Sequence, residues 1–286
     1  MIEVTEVPPL TDPILIAAFE GWNDAGECAT GVIEHLAALW DGEIVARMDP
    51  EEYYDFQVNR PRLSLVDGVR VLEWPTTRVM LVRDTPVGRD LLLVLGIEPS
   101  VRWRSYSAEI LAFAMHHGVG TLITLGGLLA DVPHTRPIPV GVTSEDADLR
   151  SLAEDIERSS YEGPSGIVGV LHDQARQMDL PSMSFWAAVP HYAGGAPSPK
   201  ASLALLGRLE EVLSCVIDEG ELLEQARAWE RGVDELASTD EEVAEYVESL
   251  EQAQDTADLP EASGDAIAKE FERYLRRRDH GGPAPG

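Results

Sequence analysis

The chain has 286 residues, enough for one large core with an appendage. Its 51 acidic against 22 basic side chains give a formal net charge of -29, which opposes the phosphate backbone of DNA or RNA and predicts no nucleic-acid partner. Cys28 and Cys215 share no zinc or disulfide spacing, the opening MIEVTEVPPL lacks the basic and apolar stretches of a secretion signal, and no run is long enough to span a bilayer, so a cytoplasmic chain without membrane contact is expected.

The first element is the continuous apolar run ILIAAF, residues 14–19, which reads as a strand covered on both faces. It leads into AFEGWNDAGECATG, where Gly21 turns the chain and Asn23 or Asp24 caps a helix carrying Ala25, Ala29, Ile33 and Leu36. A strand, a polar turn and a helix N-terminus make a corner that attracts anions, or simply a well-capped connection; Glu20, Trp22, Asn23 and Asp24 are its candidate ligand-facing residues.

Strands follow at residues 42–48, 78–84 and 90–96, then a helix at 106–118 ending at Gly118, and a buried strand at 119–127. SGIVGVL, around Ile167, and SMSFWAAVP, around Phe185, read as two further strands, followed by a helix at 201–216. This alternation predicts an α/β fold with a mainly parallel sheet and helices on both sides, in which ligands collect at the carboxyl ends of the strands.

Two more loops fall at that edge. In GGLLADVPHTRPIPV, Gly126 and Gly127 permit close backbone approach, and His134, Thr135 and Arg136 sit between turn-forming prolines. They are suited either to holding a phosphate or carboxylate or to capping neighbouring backbone. In VPHYAGGAPSPKAS, His191 and Tyr192 precede Ser198 at an N-cap, Pro199 at the first helical position and Lys200 in the first turn. A lysine there opposes the helix dipole and therefore needs an anion or a neighbouring acid such as Glu20.

Past residue 210 the composition changes. Through residue 272 the only cations among many carboxylates are Arg227, Arg231 and Lys269. Leu222, Leu223, Ala226, Trp229, Val233 and Leu236 recur at helical spacing, as do Val243, Tyr246, Val247 and Leu250 after the cap-like STD at 238–240, which predicts an antiparallel helical hairpin. A last helix carries Ile267, Phe271, Tyr274 and Leu275. The expected organisation is an α/β core over 1–216, an acidic hairpin over 217–258, a helix over 259–279 packing back on the core, and a disordered tail over 280–286. The acidic faces read as solvated surface or as a docking arm.

AFEGWNDAGECAT, GGLLADVPHTRP and VPHYAGGAPSPKAS, in this order and followed by an acidic hairpin, resemble the proteasome assembly chaperone family, in particular its bacterial branch found in actinobacteria. The resemblance implies a three-layer α/β/α core similar to the phosphorylase/hydrolase-like fold and a non-enzymatic assembly or interaction protein. It implies no catalytic residue, metal or cofactor. The implied partners are proteins, proteasome subunits among them, and a homo-oligomer such as a trimer. The alternative is an enzyme binding a nucleoside or phosphate compound, with Arg136 and Lys200 holding an anion and His134 or Glu20 moving a proton.

Overall fold

The computed structural model describes residues 2–195 and 197–257; the expected last helix and tail lie outside the described residues. In chain order the elements are β1 (Ile2–Val4), β2 (Ile14–Glu20), α1 (Cys28–Leu39), β3 (Glu43–Met48), β4 (Arg62–Val66), β5 (Val69–Glu73), β6 (Arg78–Val82) and β7 (Leu91–Ile97). Then come α2 (Trp103–His116), β8 (Thr121–Ala130), β9 (Val140–Ser144), α3 (Ala147–Arg150), β10 (Ile156–Glu157), α4 (Ile167–Gln177), β11 (Ser182–Pro190), α5 (Pro199–Leu213), α6 (Leu222–Thr239) and α7 (Glu241–Ala257).

Nine strands form the main sheet in the order β1-β3-β6-β7-β2-β8-β11-β9-β10. Its centre, β7-β2-β8-β11, is parallel throughout, while β6 and β9 flank it antiparallel. Alternation along β2 explains the layering. Ile14, Ile16 and Ala18 join the core beneath α1 and α5, with Ile33, Leu36, Leu205 and Leu209. Leu15, Ala17 and Phe19 join the opposite core beneath α2 and α4, with Tyr106, Ile110, Ile167 and Leu171. A strand buried on both faces needs apolar residues at every position, which is why residues 14–19 lack a polar alternation. The predicted three-layer α/β/α architecture is present.

The sequence reading names none of β1, β9, α3 and β10, and two further differences are instructive. SGIVGVL is not a strand: Ile167 opens α4, whose buried Ile167, Val168, Leu171 and Ala175 follow a helical period. A short apolar run does not by itself separate the two periods, and here the polar face begins only at His172 and Asp173, beyond the run. The second is the hairpin β4-β5, which forms a separate two-stranded sheet. Its signal is the Asp67-Gly68 pair, with φ of 50° and 80°, the left-handed pair that a two-residue turn requires.

The predicted helical hairpin is α6 and α7. Asp240 caps α7, its Oδ1 accepting from the N–H of Glu242 at 3.0 Å and of Val243 at 3.4 Å. The predicted apolar stripe buries Leu222, Ala226 and Val233 but leaves Leu236 49% exposed. Among the described residues no helix is long and apolar enough to cross a membrane.

Candidate functional site

The three loops picked out by the sequence do lie at the carboxyl edge of the parallel strands, but they divide into two places. The first is the corner after β2. Asp24, 6% exposed, accepts hydrogen bonds from the N–H of Ala29 at 2.7 Å and of Thr30 at 3.4 Å, and from the Thr30 hydroxyl. It therefore fills the N-terminus of α1 with the chain's own carboxylate. Burial pushes its carboxyl above the ordinary range, and the Thr30 and Ala29 hydrogen bonds pull the other way.

Asn23 is equally buried and donates through Nδ2 to Glu98 Oε1 at 2.8 Å; the same oxygen accepts from the N–H of Ile167 at 2.8 Å. Glu98, which the sequence reading missed, thus closes the N-terminus of α4 and ties three loops together. Both helix ends that would welcome a phosphate already hold an internal carboxylate.

Gly126 and Gly127 serve this packing. The turn after β2 lies directly on β8, with the N–H of Gly127 donating to the Asn23 carbonyl at 2.8 Å. A Cβ on Gly127 would meet Cys28 Sγ at 2.5 Å and the Ala25 carbonyl at 2.7 Å, and one on Gly126 would meet the Trp186 ring at 2.6 Å. Close approach of backbone, rather than a ligand, is what these glycines permit.

A cleft of about 2000 Å³ runs past the corner, lined among others by Glu20, Trp22, Thr30, His172 and Trp186. Trp22 is 65% exposed there. Burial, then the neighbouring Asp24 and Glu34, raise the Glu20 carboxyl. Across the cleft His172 is held by Thr124 Oγ1 at 2.7 Å and Ser182 Oγ at 3.0 Å, and burial pushes its imidazole down to about 4.

The second place gathers the other two loops, and its ligand is the hairpin. His134, 1% exposed, lies with Nε2 3.0 Å from Asp234 of α6 and with Nδ1 2.8 Å from the Tyr192 hydroxyl, which also accepts from the His134 backbone N–H at 2.7 Å. A tautomer with Nε2–H donating to Asp234 and Nδ1 accepting from Tyr192 uses both ring nitrogens. Thr135 donates to Glu251 of α7. Arg136 forks onto Asp255 at 2.9 and 2.8 Å and reaches Glu251 at 3.3 Å. The fork raises the guanidinium and lowers the Asp255 carboxyl, each chiefly through their mutual hydrogen bonds.

Lys200 completes the clamp, and here the expected partner is corrected. Its Nζ lies 2.5 Å from Glu230 of α6 and also donates to the His134 carbonyl, so Glu230 and not Glu20 balances it against the helix dipole. Ser198 stands at the N-cap of α5 as expected, but its hydroxyl makes no cap bond. Rings finish the contact: Trp229 of α6 stands edge-on to His134 with centroids 6.5 Å apart, and Tyr246 of α7 stands edge-on to His191 at 5.3 Å and Tyr192 at 6.1 Å.

The cations expected to hold an anionic substrate are thus engaged by carboxylates of the same chain. No cluster of His, Cys, Asp and Glu among the described residues has metal-holding geometry.

The PAC2 family model matches residues 18–237. A PAC2 family protein from Streptomyces avermitilis is 54% identical, covering 82% of this chain and 100% of its own, with a TM-score of 0.77. A proteasome-assembly chaperone homologue from Mycobacterium tuberculosis is 45% identical, covering 82% of this chain and 99% of its own, with a TM-score of 0.74. An archaeal proteasome activator from Pyrococcus furiosus, 20% identical, covers 82% of this chain and 98% of its own with a TM-score of 0.64, and shares the fold. No curated protein matches. With the family model spanning most of the sheet, the three loops and most of α6, and with two such relatives matched nearly end to end, the chain belongs to the PAC2 family.

Proposed function

We propose that the protein is a non-enzymatic assembly or interaction protein that docks other proteins, proteasome subunits among them, in the cytoplasm, and that it works as a homo-oligomer such as a trimer. The observation that carries this reading is the occupation of His134, Arg136 and Lys200 by α6 and α7. Loops spent on holding a helical hairpin make a platform rather than a substrate pocket. The similarity to a proteasome-assembly chaperone homologue supports the same reading.

The hairpin also presents carboxylates outward. Glu241, Glu245 and Glu248 are exposed along one side of α7, three and four residues apart. A row of like charge there suits transient capture of a basic surface, with rapid association and rejection of acidic competitors.

The test is a native pull-down of the tagged chain from its own cells, with mass spectrometry of co-purifying proteins and small molecules. The wild type should retain a stoichiometric protein partner, proteasome subunits being the expected class, and E241K/E245K/E248K should lose it while melting at nearly the same temperature. Recovery of a nucleoside or phosphorylated compound with no protein partner would instead support the enzyme alternative.

A further inference from the structure

The cleft past the first corner is lined by none of the clamp residues His134, Arg136 and Lys200, and its volume of about 2000 Å³ exceeds the about 1,000 Å³ at which small-molecule sites usually end. Room on that scale fits a length of chain. Its lining disfavours an anion. Arg176, the one arginine or lysine among the described lining residues, is paired with Asp173 at 2.9 Å, and Asp24 and Glu98 already fill the N-termini of α1 and α4. His172 stays neutral down to about pH 4 and adds no positive charge above it.

On the side formed by α1 the lining is acidic. Glu27 stands at the N-cap of α1 with Glu34 two turns further along the same face, Glu20 ends β2, and Glu221 stands just before α6. All four are exposed, and among the described residues none is in an ion pair. Burial raises the Glu20 carboxyl, and Asp24, Glu34 and Glu27 add to it as like charges while Arg78 opposes them. A cation in the cleft would relieve that crowding. Two further features point to an occupant. Trp22, 65% exposed, offers an uncovered indole at the same edge. Ser198, fully buried in the cleft wall where its N–H donates to the Gly26 carbonyl at 2.7 Å, has a hydroxyl with no hydrogen-bond partner. Buried hydroxyls are ordinarily bonded, and an incoming donor would satisfy this one.

We propose that this cleft receives an arginine-bearing peptide segment of a partner protein, with a guanidinium stacking on Trp22 and pairing with the carboxylates of Glu20, Glu27 and Glu34. Arginine suits the site better than lysine, because its planar fork both stacks on an indole and bonds two carboxylate oxygens at once. The inference rests on the reading that the protein docks other proteins, but it names a surface apart from the α7 row. It is tested on purified chain with a synthetic peptide, so client capture in cells and peptide binding can fail separately.

The probe is a dye-labelled peptide of three Arg-Ser-Gly repeats, titrated onto the full chain and followed by fluorescence anisotropy, beside the same peptide with glutamate in place of arginine. The arginine peptide should bind and the glutamate peptide should not, and affinity should fall as salt is raised. E27Q/E34Q should weaken binding by about tenfold or more and Trp22→Ala by about fivefold, with melting temperature hardly moved because all three side chains are exposed. Ser198→Ala should weaken it by about fivefold without lowering the melting temperature, since the free chain loses no hydrogen bond. E241K/E245K/E248K should bind the peptide as the wild type does. Failure of the arginine peptide to bind, binding indifferent to E27Q/E34Q and Trp22→Ala, or loss of binding in the α7 variant would each overturn the proposal. So would displacement of the peptide by spermine or adenosine monophosphate at equal concentration, which would assign the cleft to a small polycation or a nucleotide.

Discussion

His172 shows how much one side chain can decide. Both its nitrogens are engaged by hydroxyls, and burial keeps the ring neutral down to about pH 4. In the unfolded chain it would take a proton near pH 6.5, so between those values the unfolded state binds more protons and the fold loses stability as pH falls. The loss amounts to about 3 kcal/mol by the bottom of that window. Glu20 and Asp24 act in the opposite sense, because their carboxyls are raised and folding is favoured as pH drops through their folded values. Denaturant unfolding of wild type and His172→Asn from pH 7 to pH 4 separates the contributions: the stability of the wild type relative to the variant should fall toward acid, and a constant difference would refute the assignment. Single residues were legible from sequence where local chemistry decides. A helix cap at Asn23 or Asp24, which the fold gives to Asp24, and Lys200 as a lysine needing a counter-charge both follow from the N-terminal turn alone. Glu98 and Glu230 were not, because each meets its partner only after distant elements pack, and a glutamate in an acidic chain carries no mark of its role.

At the scale of elements, periodicity recovered the strands buried on both faces and the two hairpin helices, because their patterns run long enough to fix a period. It failed at α4, where seven residues contain too little of the polar face. It also passed over β4-β5, whose alternation is blurred by apolar residues on both faces even though Asp67-Gly68 names the turn. The acidic helices were legible as helices but not in their purpose: Asp234, Glu230, Glu251 and Asp255 turn inward to the two loops. The clamp they form makes a specific prediction. Lys200 is largely enclosed, its side chain 17% exposed, whereas the Arg136 fork is 32% exposed and more easily replaced by water. Lys200→Met should therefore speed amide exchange in α6 and α7 by about tenfold, with β2 and β8 unchanged, and Arg136→Ala should do less. Equal acceleration in the central strands would mean that hairpin and core open as one unit.

For the whole molecule, two electrostatic effects oppose each other. A net charge of -29 repels itself at every separation, while cation–carboxylate contacts at 2.5 to 3.3 Å hold the hairpin down. Salt screens both, but not equally. Raising ionic strength from about 0.01 M to about 0.15 M shortens the Debye length from about 30 Å to about 8 Å, which removes most of the long-range repulsion yet still exceeds the contact distances. Repulsion among many separated carboxylates should thus be relieved before the clamp is weakened. The melting temperature should rise over that range, and amide protection in α6 and α7 should hold. A falling melting temperature would show that the contact pairs outweigh the self-repulsion. An unchanged melting temperature with lost protection would place the balance inside the hairpin itself, where acid crowds most densely and where a basic partner surface would supply the screening that salt provides in solution.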